Sequence, residues 1–203
     1  MSGGEITDDF SRRVETTTHD ILARLQGLLA HGRGRDVKAR LSRHMPPDDP
    51  ELWLALDLAG LYPVVGPAPS EVTQTRAASA VTAAAQLWAM SDLPHRTTTA
   101  QRPTSIGAVL AQVIAARRAD AADVARLLRS HTLGEALPHL RPLLIHARRQ
   151  SLALDFGLLA RDLYTWQVPG GPHRVGQIWA HTLANTQARA AHAARSRTAS
   201  TTS

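Results

Sequence analysis

Residues 154–180 decide the fold of this chain and read LDFGLLARDLYTWQVPGGPHRVGQIWA. In the first part of the stretch, four large apolar side chains follow at spacings of three, four and three residues, which place them on one helix face. These are Phe156, Leu159, Leu163 and Trp166. A Pro-Gly-Gly-Pro segment at 169–172 then ends the helix. Beyond it, Val175, Ile178 and Trp179 form a second apolar face, so the stretch predicts two helices joined by a sharp break.

The composition indicates a globular protein of a reducing compartment. The chain has 203 residues, of which 43% are hydrophobic, so it can bury a core without disulfides or a structural metal. The absence of cysteine excludes disulfides, thiolate nucleophiles and cysteine-based zinc sites, and it fits a cytoplasmic location. The first residues do not resemble a signal peptide, and no apolar run approaches the roughly 20 residues that span a bilayer. We therefore expect a cytoplasmic protein without a membrane partner.

The pattern along the chain predicts an all-α fold, a compact protein of about eight to nine helices in two small bundles. No segment alternates apolar and polar residues over a strand length. We expect an N-terminal bundle over 1–90, a loop or hinge over 91–104, and a C-terminal bundle over 105–194. The hinge contains two prolines and three consecutive threonines. A Ser-, Thr- and Arg-rich tail over 195–203 is predicted to be disordered.

Two helix starts follow from proline positions. Asp49 and Pro50 predict the start of a helix, with Pro at the favoured first helical position. By the same reasoning, Pro138 is predicted to start the helix that carries Leu140 and Leu144.

The ten histidines do not predict a metal site. His131, His139 and His146 are eight and seven residues apart, which is not the spacing that brings two ligands together on one helix, and the chain has no HExxH motif. The glycines at 32 and 34 indicate a helix stop and not a phosphate-binding loop. We expect no metal and no other cofactor.

Two carboxylates in the first helix of the deciding stretch are the nearest approach to a catalytic pair. Asp155 and Asp162 are seven residues apart and could share a helix face, and paired carboxylates can act as acid and base. They flank a Leu-Leu pair and Arg161, which favours helix capping or ion pairing instead. The sequence therefore predicts a protein that is not an enzyme.

The basic residues occur in two clusters. The formal net charge is +6, and because Lys38 is the single lysine, arginine carries nearly all of the basic charge. An arginine- and alanine-rich composition is also typical of GC-rich genomes, so the distribution of charge says more than its total. Residues 33–43 hold five basic side chains against Asp36 alone, and residues 117–149 hold seven arginines against three acids. The planar guanidinium suits phosphate because it donates two parallel hydrogen bonds.

Nothing in the sequence indicates that bases are read. There is no recognition helix rich in Asn, Gln and Arg and no RNP-like aromatic motif. Aromatic residues make up 4% of the chain, too few for a stacking platform along a single strand. The two basic clusters therefore predict binding to a nucleic-acid backbone without sequence preference.

The order of several short motifs resembles a known family. The C-terminal motifs are Asp155-Phe156, Leu158-Leu159, Asp162-Leu163, Trp166, Val175 and Trp179-Ala180. They resemble the C-terminal signature of the small-subunit (CasB) family of the type I-E CRISPR surveillance complex, Cascade. Further matches are Lys38, Ala39, Leu41 and Arg43 in the family's early basic segment, Arg126 in 125–128, and Leu140-Arg141. Ser42 stands where the family often has a further arginine, and His181 and Leu183 replace a basic residue and aromatics.

The resemblance implies a function without catalysis. It implies a homodimer along the belly of Cascade, in contact with the backbone and large subunits and with the guide RNA complex. The basic face would hold the displaced DNA strand and support the target strand, which stabilises the R-loop in antiviral defence. By this resemblance the phosphate contacts are Lys38, Arg43, Arg126 and Arg141. Charge clustering alone adds Arg117, Arg118 and Arg148.

Two other functions fit parts of the sequence. A helical, sequence-specific DNA-binding regulator would use a helix-turn-helix around Gly32, although the helix that follows and ends near Pro46 is short. A helical scaffold without nucleic-acid contact would leave both arginine clusters as solvated faces.

Overall fold

A computed structural model of the chain describes the backbone of residues 3–43, 45–96, 104–116 and 121–200, and side chains from residue 9 to 197 within those ranges. The described residues form nine α-helices and no strand, which confirms the predicted all-α class. The helices are α1 (Gly3–Ala30), α2 (Arg35–Leu41), α3 (Pro50–Leu58), α4 (Glu71–Ser91), α5 (Ile106–Ala115), α6 (Ala121–Leu128), α7 (Leu133–Arg148), α8 (Phe156–Trp166) and α9 (Gly171–Ser200).

The fourth helix is the centre of the fold. Every residue of α4 from 77 to 89 is buried, and the helix contacts α1, α2, α7 and α8. A helix that is apolar on all sides is stable only when other elements surround it. Seven of these thirteen residues are alanine, whose small side chain lets neighbouring helices approach the α4 backbone.

The two helices of the deciding stretch form as predicted. Phe156, Leu159, Leu163 and Trp166 are all buried on α8, which contacts α1, α4 and α9. The break contains Gly170 at φ 72°, a left-handed conformation that glycine adopts without steric cost. Val175 and Trp179 are buried at the start of α9, whereas Ile178 is 51% exposed. The second predicted face is therefore narrower than the spacing suggested.

The predicted helix starts have opposite outcomes at α3 and α7. Helix α3 begins at Pro50, as predicted, and Asp49 caps it by accepting from the Glu51 backbone N–H at 2.9 Å. The prediction for Pro138 was wrong, because α7 begins at Leu133 and contains both Pro138 and Pro142. The cap is Thr132, whose hydroxyl oxygen accepts from the Glu135 backbone N–H at 3.2 Å. Favourable capping and the burial of Leu137 and Leu140 offset the hydrogen bonds that the prolines remove.

The predicted bundles share one hydrophobic core. The core cluster runs from Phe10 on α1 to Trp179 on α9, and α8 contacts both α1 and α4. The division at the hinge stays a prediction, and residues 97–103 of that hinge lie outside the described residues. Helix α9 continues to Ser200, beyond residue 195, where the sequence predicts a disordered tail. The preceding residues 187–195 contain five alanines and two arginines, which are strong helix formers and let α9 continue into this end.

None of the helices, within the described residues, is long and apolar enough to cross a membrane.

Candidate nucleic-acid interface

Three helix ends bring two of the predicted basic residues onto one carboxylate. Asp92 Oδ1 accepts from Lys38 Nζ at 2.6 Å, and Asp92 Oδ2 lies 2.8 Å from Arg148 Nη2. Lys38 belongs to α2, Asp92 directly follows α4, and Arg148 ends α7. The fold therefore joins the first basic cluster of the sequence to the second.

The position of Asp92 follows from the way α4 ends. Asp92 has φ 56°, a left-handed conformation that Asp and Asn adopt more readily than most residues, and its N–H donates to the Trp88 carbonyl at 2.9 Å. The Lys38 ammonium lies 5.4 Å from the centre of the Trp88 ring, within the range of a cation–π contact. The end of α4 thus positions Lys38, because its ammonium group contacts both the Asp92 carboxylate and the Trp88 ring.

Lys38, Asp92 and Arg148 together keep a net positive charge that faces solvent. The hydrogen bond from Lys38 lowers the pKa of Asp92, burial opposes this, and the charges of Lys38 and Arg148 lower it further. The carboxylate therefore offsets one of two cations. Because the Arg148 side chain is 55% exposed, its remaining guanidinium donors can bind a phosphate.

Arg141 extends this surface along α7. It lies seven residues before Arg148, which is about two turns and places both on one face of the helix. Arg141 lines a cleft between α7 and the connection that follows α2. The other lining residues include Met45, Pro46, Pro47, Asp48 and Ser79. Gln86 on α4 holds the connection by donating to the Met45 carbonyl at 3.0 Å.

Partial burial does not remove the positive charge of Arg141. Burial lowers its pKa, but an arginine starts so far above neutrality that the side chain stays charged. Arg43 is exposed just beyond the end of α2, two residues before Met45, where the chain enters the cleft. We define Lys38, Asp92, Arg141 and Arg148 as the α2–α7 surface.

One further predicted contact that the structure describes, Arg126, has a partner of its own. Arg126 forms an ion pair with Asp123, three residues earlier on α6, and is 56% exposed. Arg117 and Arg118 lie outside the described residues. The structure thus joins Lys38 and Arg148 through Asp92 and places Arg141 two turns away on the same face of α7. Arg126 lies on a separate helix with its own counter-charge.

The carboxylates considered as a catalytic pair have structural partners. Asp155 caps α8, accepting from the Leu158 N–H at 3.0 Å, and lies 2.8 Å from His19 Nε2. This confirms the capping prediction for Asp155. Among the described residues, Asp162 neither caps a helix nor forms a salt bridge. It accepts from Trp179 Nε1 at 2.6 Å, and burial raises its pKa to about 6.

A group with metal-ligand chemistry lies at the start of α8. Donor atoms of Glu15, His19 and Asp155 all lie within 4.8 Å of one another. The sequence did not reveal this group, because Asp155 is far along the chain from the other two. Existing contacts account for the group, since Glu15 accepts from Arg161 at 3.0 Å and Asp155 serves as the helix cap. The absence of a resident metal stays a prediction.

Comparison with known proteins decides the family. The family model of CRISPR-associated protein Cse2 (CRISPR_cse2) matches residues 37–182, well over half of the chain. The chain belongs to the Cse2 family. The match includes Lys38, Asp92, Arg141 and Arg148, and the resemblance to the CasB small subunits is confirmed.

Two solved structures share the fold of this Cse2-family protein. The crystal structure of CasB from Thermobifida fusca superposes with a TM-score of 0.64 at 21% identity, covering 86% of this chain and 97% of that one. A chain of a CRISPR RNA-guided surveillance complex superposes with a TM-score of 0.64 at 21% identity, covering 89% and 99%. No curated protein sequence matches the chain.

Proposed function

We propose that this Cse2-family protein is a non-catalytic, cytoplasmic small subunit of a type I-E CRISPR Cascade complex. In this role it binds the backbone of the displaced and target DNA strands and so stabilises the R-loop. It would act as a homodimer in contact with the backbone and large subunits and the guide RNA. Family membership supports the assembly, and one of its structural relatives belongs to an RNA-guided surveillance complex.

The observation that carries the DNA contact is the α2–α7 surface. Two cations from distant parts of the chain share one carboxylate, and Arg141 continues the same face of α7. Exchange of a DNA duplex for a guide–target heteroduplex is nearly balanced in free energy. A few phosphate contacts to the opened strands are therefore enough to favour the open state, and none of them requires a reaction.

The alternative of a helical, sequence-specific DNA-binding regulator has less support than this proposal. Helix α2 has seven residues, which is short for a recognition helix, and its side chains Lys38 and Leu41 are committed to Asp92 and to the core. The scaffold without nucleic-acid contact leaves the net positive α2–α7 surface unexplained.

Co-expression tests the assembly. The tagged chain is produced with the host's Cascade proteins and a guide RNA, and the co-purifying species are measured. We expect a guide-bound particle that contains this chain. Recovery of a soluble, folded chain alone would contradict membership in the complex.

Neutralisation of the α2–α7 surface tests the DNA contact. In Lys38→Gln plus Arg148→Gln, we expect weaker binding of the free chain to DNA and a flatter dependence on salt, by roughly one to two units of slope. The matched control is Arg24→Gln plus Arg174→Gln, which removes the same charge from exposed positions elsewhere. Equal loss in both variants would show that only total charge matters.

A further inference from the structure

The end of α9 is a basic arm that lies beyond the family match. The family model ends at residue 182, and α9 continues to Ser200. We define residues 187–197 as the C-terminal arm. All of its residues are exposed, whereas Val175 and Trp179 near the start of the same helix are buried. At 1.5 Å per residue, the arm extends about 16 Å past the packed part of α9.

The arm is helical for reasons that its sequence makes plain. Five of its eleven residues are alanine and three are arginine, both strong helix formers. The packed first turns of α9 provide the helical nucleus, so the arm needs only to propagate it. Gly107 on α5 anchors this packing: a Cβ there would lie 2.6 Å from the Trp179 carbonyl oxygen and 2.8 Å from Thr182 Cβ.

Charge in this region has a single sign. No Asp or Glu occurs after Asp162, and four arginines do. Three of them, Arg189, Arg195 and Arg197, lie in the arm and amount to half of the formal net charge of +6. The arm therefore carries side-chain charge of positive sign alone, which makes it a local source of attraction for anions.

The side chains of the arm suit a polyanion better than a protein partner. The arm contains no residue larger and more apolar than alanine, so it lacks the aromatic and aliphatic anchors of protein interfaces. Arginine binds phosphate through two parallel hydrogen bonds, and the small alanines between the arginines let a nucleic-acid strand approach the helix closely.

We propose that the C-terminal arm is a second nucleic-acid contact, which binds the phosphodiester backbone without sequence preference. This inference rests on the proposed function for its ligand, but the arm is a contact separate from the α2–α7 surface. The arm adds up to three phosphate contacts, and its length lets it reach a strand that the body of the protein does not touch.

The test neutralises the arm in the full chain. In Arg189→Gln plus Arg195→Gln plus Arg197→Gln, we expect binding to a labelled DNA single strand and to the corresponding duplex to weaken at low salt. The slope of log affinity against log salt should fall by roughly two to three units, with the duplex showing the larger change. The control, Arg24→Gln plus Arg96→Gln plus Arg174→Gln, removes equal charge from other exposed positions and should change the slope less. Circular dichroism checks that helix content is equal.

A second variant removes the arm and keeps the packed helix. A chain that ends after Thr186 should bind DNA as the triple glutamine variant does. Unchanged affinity and slope in either variant would overturn the proposal. If the arm variants bind DNA normally but fail to enter the guide-bound particle, the arm docks on protein and the proposal is likewise overturned. The variant Lys38→Gln plus Arg148→Gln distinguishes failure of the arm proposal from failure of the proposed function. It weakens DNA binding whenever the proposed function holds.

Discussion

The indole of Trp179 donates a hydrogen bond of 2.6 Å from Nε1 to Oδ2 of the buried Asp162, which ties the start of α9 to α8. Trp179 also lies against Trp166, with ring centres 5.0 Å apart. A carboxylate in this apolar setting is costly when ionised, and burial raises the pKa of Asp162 to about 6. The bond gives α8 and α9 a specific alignment, and the burial of the ionised carboxylate costs some stability at neutral pH.

Asp162→Asn should stabilise the protein above pH 6. The amide oxygen can still accept from Trp179 Nε1, and the buried charge is gone. Because the pKa of Asp162 is higher in the folded state, its stability contribution is complete below the unfolded value near 3.8 and is lost as the pH rises through about 6. We expect a gain of up to about 3 kcal/mol at pH 8, measured by urea unfolding.

The gain should fall below about 1 kcal/mol near pH 4, where Asp162 is protonated in the folded state and close to half protonated in the unfolded state. Asp162→Ala is the control, since it removes the acceptor, leaves the Trp179 N–H without its partner and should cost about 1–3 kcal/mol. A pH-independent effect of Asp162→Asn would contradict the assignment.

How far the sequence predicts the fold depends on how local the determining contacts are. The α8 face and the start of α3 at Pro50 follow from neighbouring residues and are predicted correctly. Pro138 was misjudged because Thr132 and the burial of Leu137 override a local rule.

Contacts between residues that are distant in the chain could not be predicted from the sequence. Asp92 was assigned to a polar hinge, and nothing in its spacing indicates that it binds Lys38 and Arg148. The same holds for the partner of Asp162. The absence of acids after Asp162 was visible in the sequence, but the structure was needed to show that the arginines lie on an exposed helix.

Asp92→Asn should strengthen DNA binding. Asn tolerates the left-handed conformation at the end of α4, and the substitution removes the one anion of the α2–α7 surface. We expect affinity for a DNA duplex to rise by about two- to tenfold at low salt and the gain to shrink as salt increases. Asp57→Asn, at an exposed position of α3, is the charge-matched control. Weaker binding than wild type would mean that Asp92 mainly positions Lys38 and Arg148.

His19 should make stability depend on pH through Asp155. The hydrogen bond to Asp155 raises the pKa of His19, burial opposes this, and the charges of Asp155, Glu15 and Asp20 raise it further. The stabilisation is therefore complete below the ordinary value near 6.5 and is lost as the pH rises through the higher folded value. His19→Gln should cost about 1–2 kcal/mol at pH 5.5 and less at pH 9, by urea unfolding.

His95 gives stability the opposite pH dependence, so its effect must be measured separately from that of His19. Burial lowers its pKa, the charge of His19 lowers it further, and its Nδ1 accepts from the Phe156 N–H at 3.2 Å. Loss of stability on acidification through that lowered value should remain in His19→Gln. His173→Gln, at an exposed position, should leave the profile unchanged. A His19→Gln cost that grows with pH would contradict a raised pKa for His19 in the folded protein.

Gly107→Ala should loosen the junction between α5 and α9. The added methyl would lie 2.6 Å from a backbone oxygen, so the helices must separate, at a cost of about 1–3 kcal/mol in thermal or urea unfolding. Gly27→Ala, inside α1 with open space around its Cβ, should instead stabilise by about 0.5–1 kcal/mol. Equal effects at both positions would show that α5 and α9 are not closely packed.

The lifetime of the R-loop in the reconstituted, guide-bound complex tests the central claim most directly. Dissociation of labelled displaced strand is followed for complexes that contain the wild-type chain, Lys38→Gln plus Arg148→Gln, or the Arg24→Gln plus Arg174→Gln control. The account predicts that the α2–α7 variant enters the complex normally yet shortens the R-loop lifetime by about tenfold, roughly 1.4 kcal/mol, while the control resembles wild type. An unchanged lifetime with a fully incorporated, folded α2–α7 variant would contradict it.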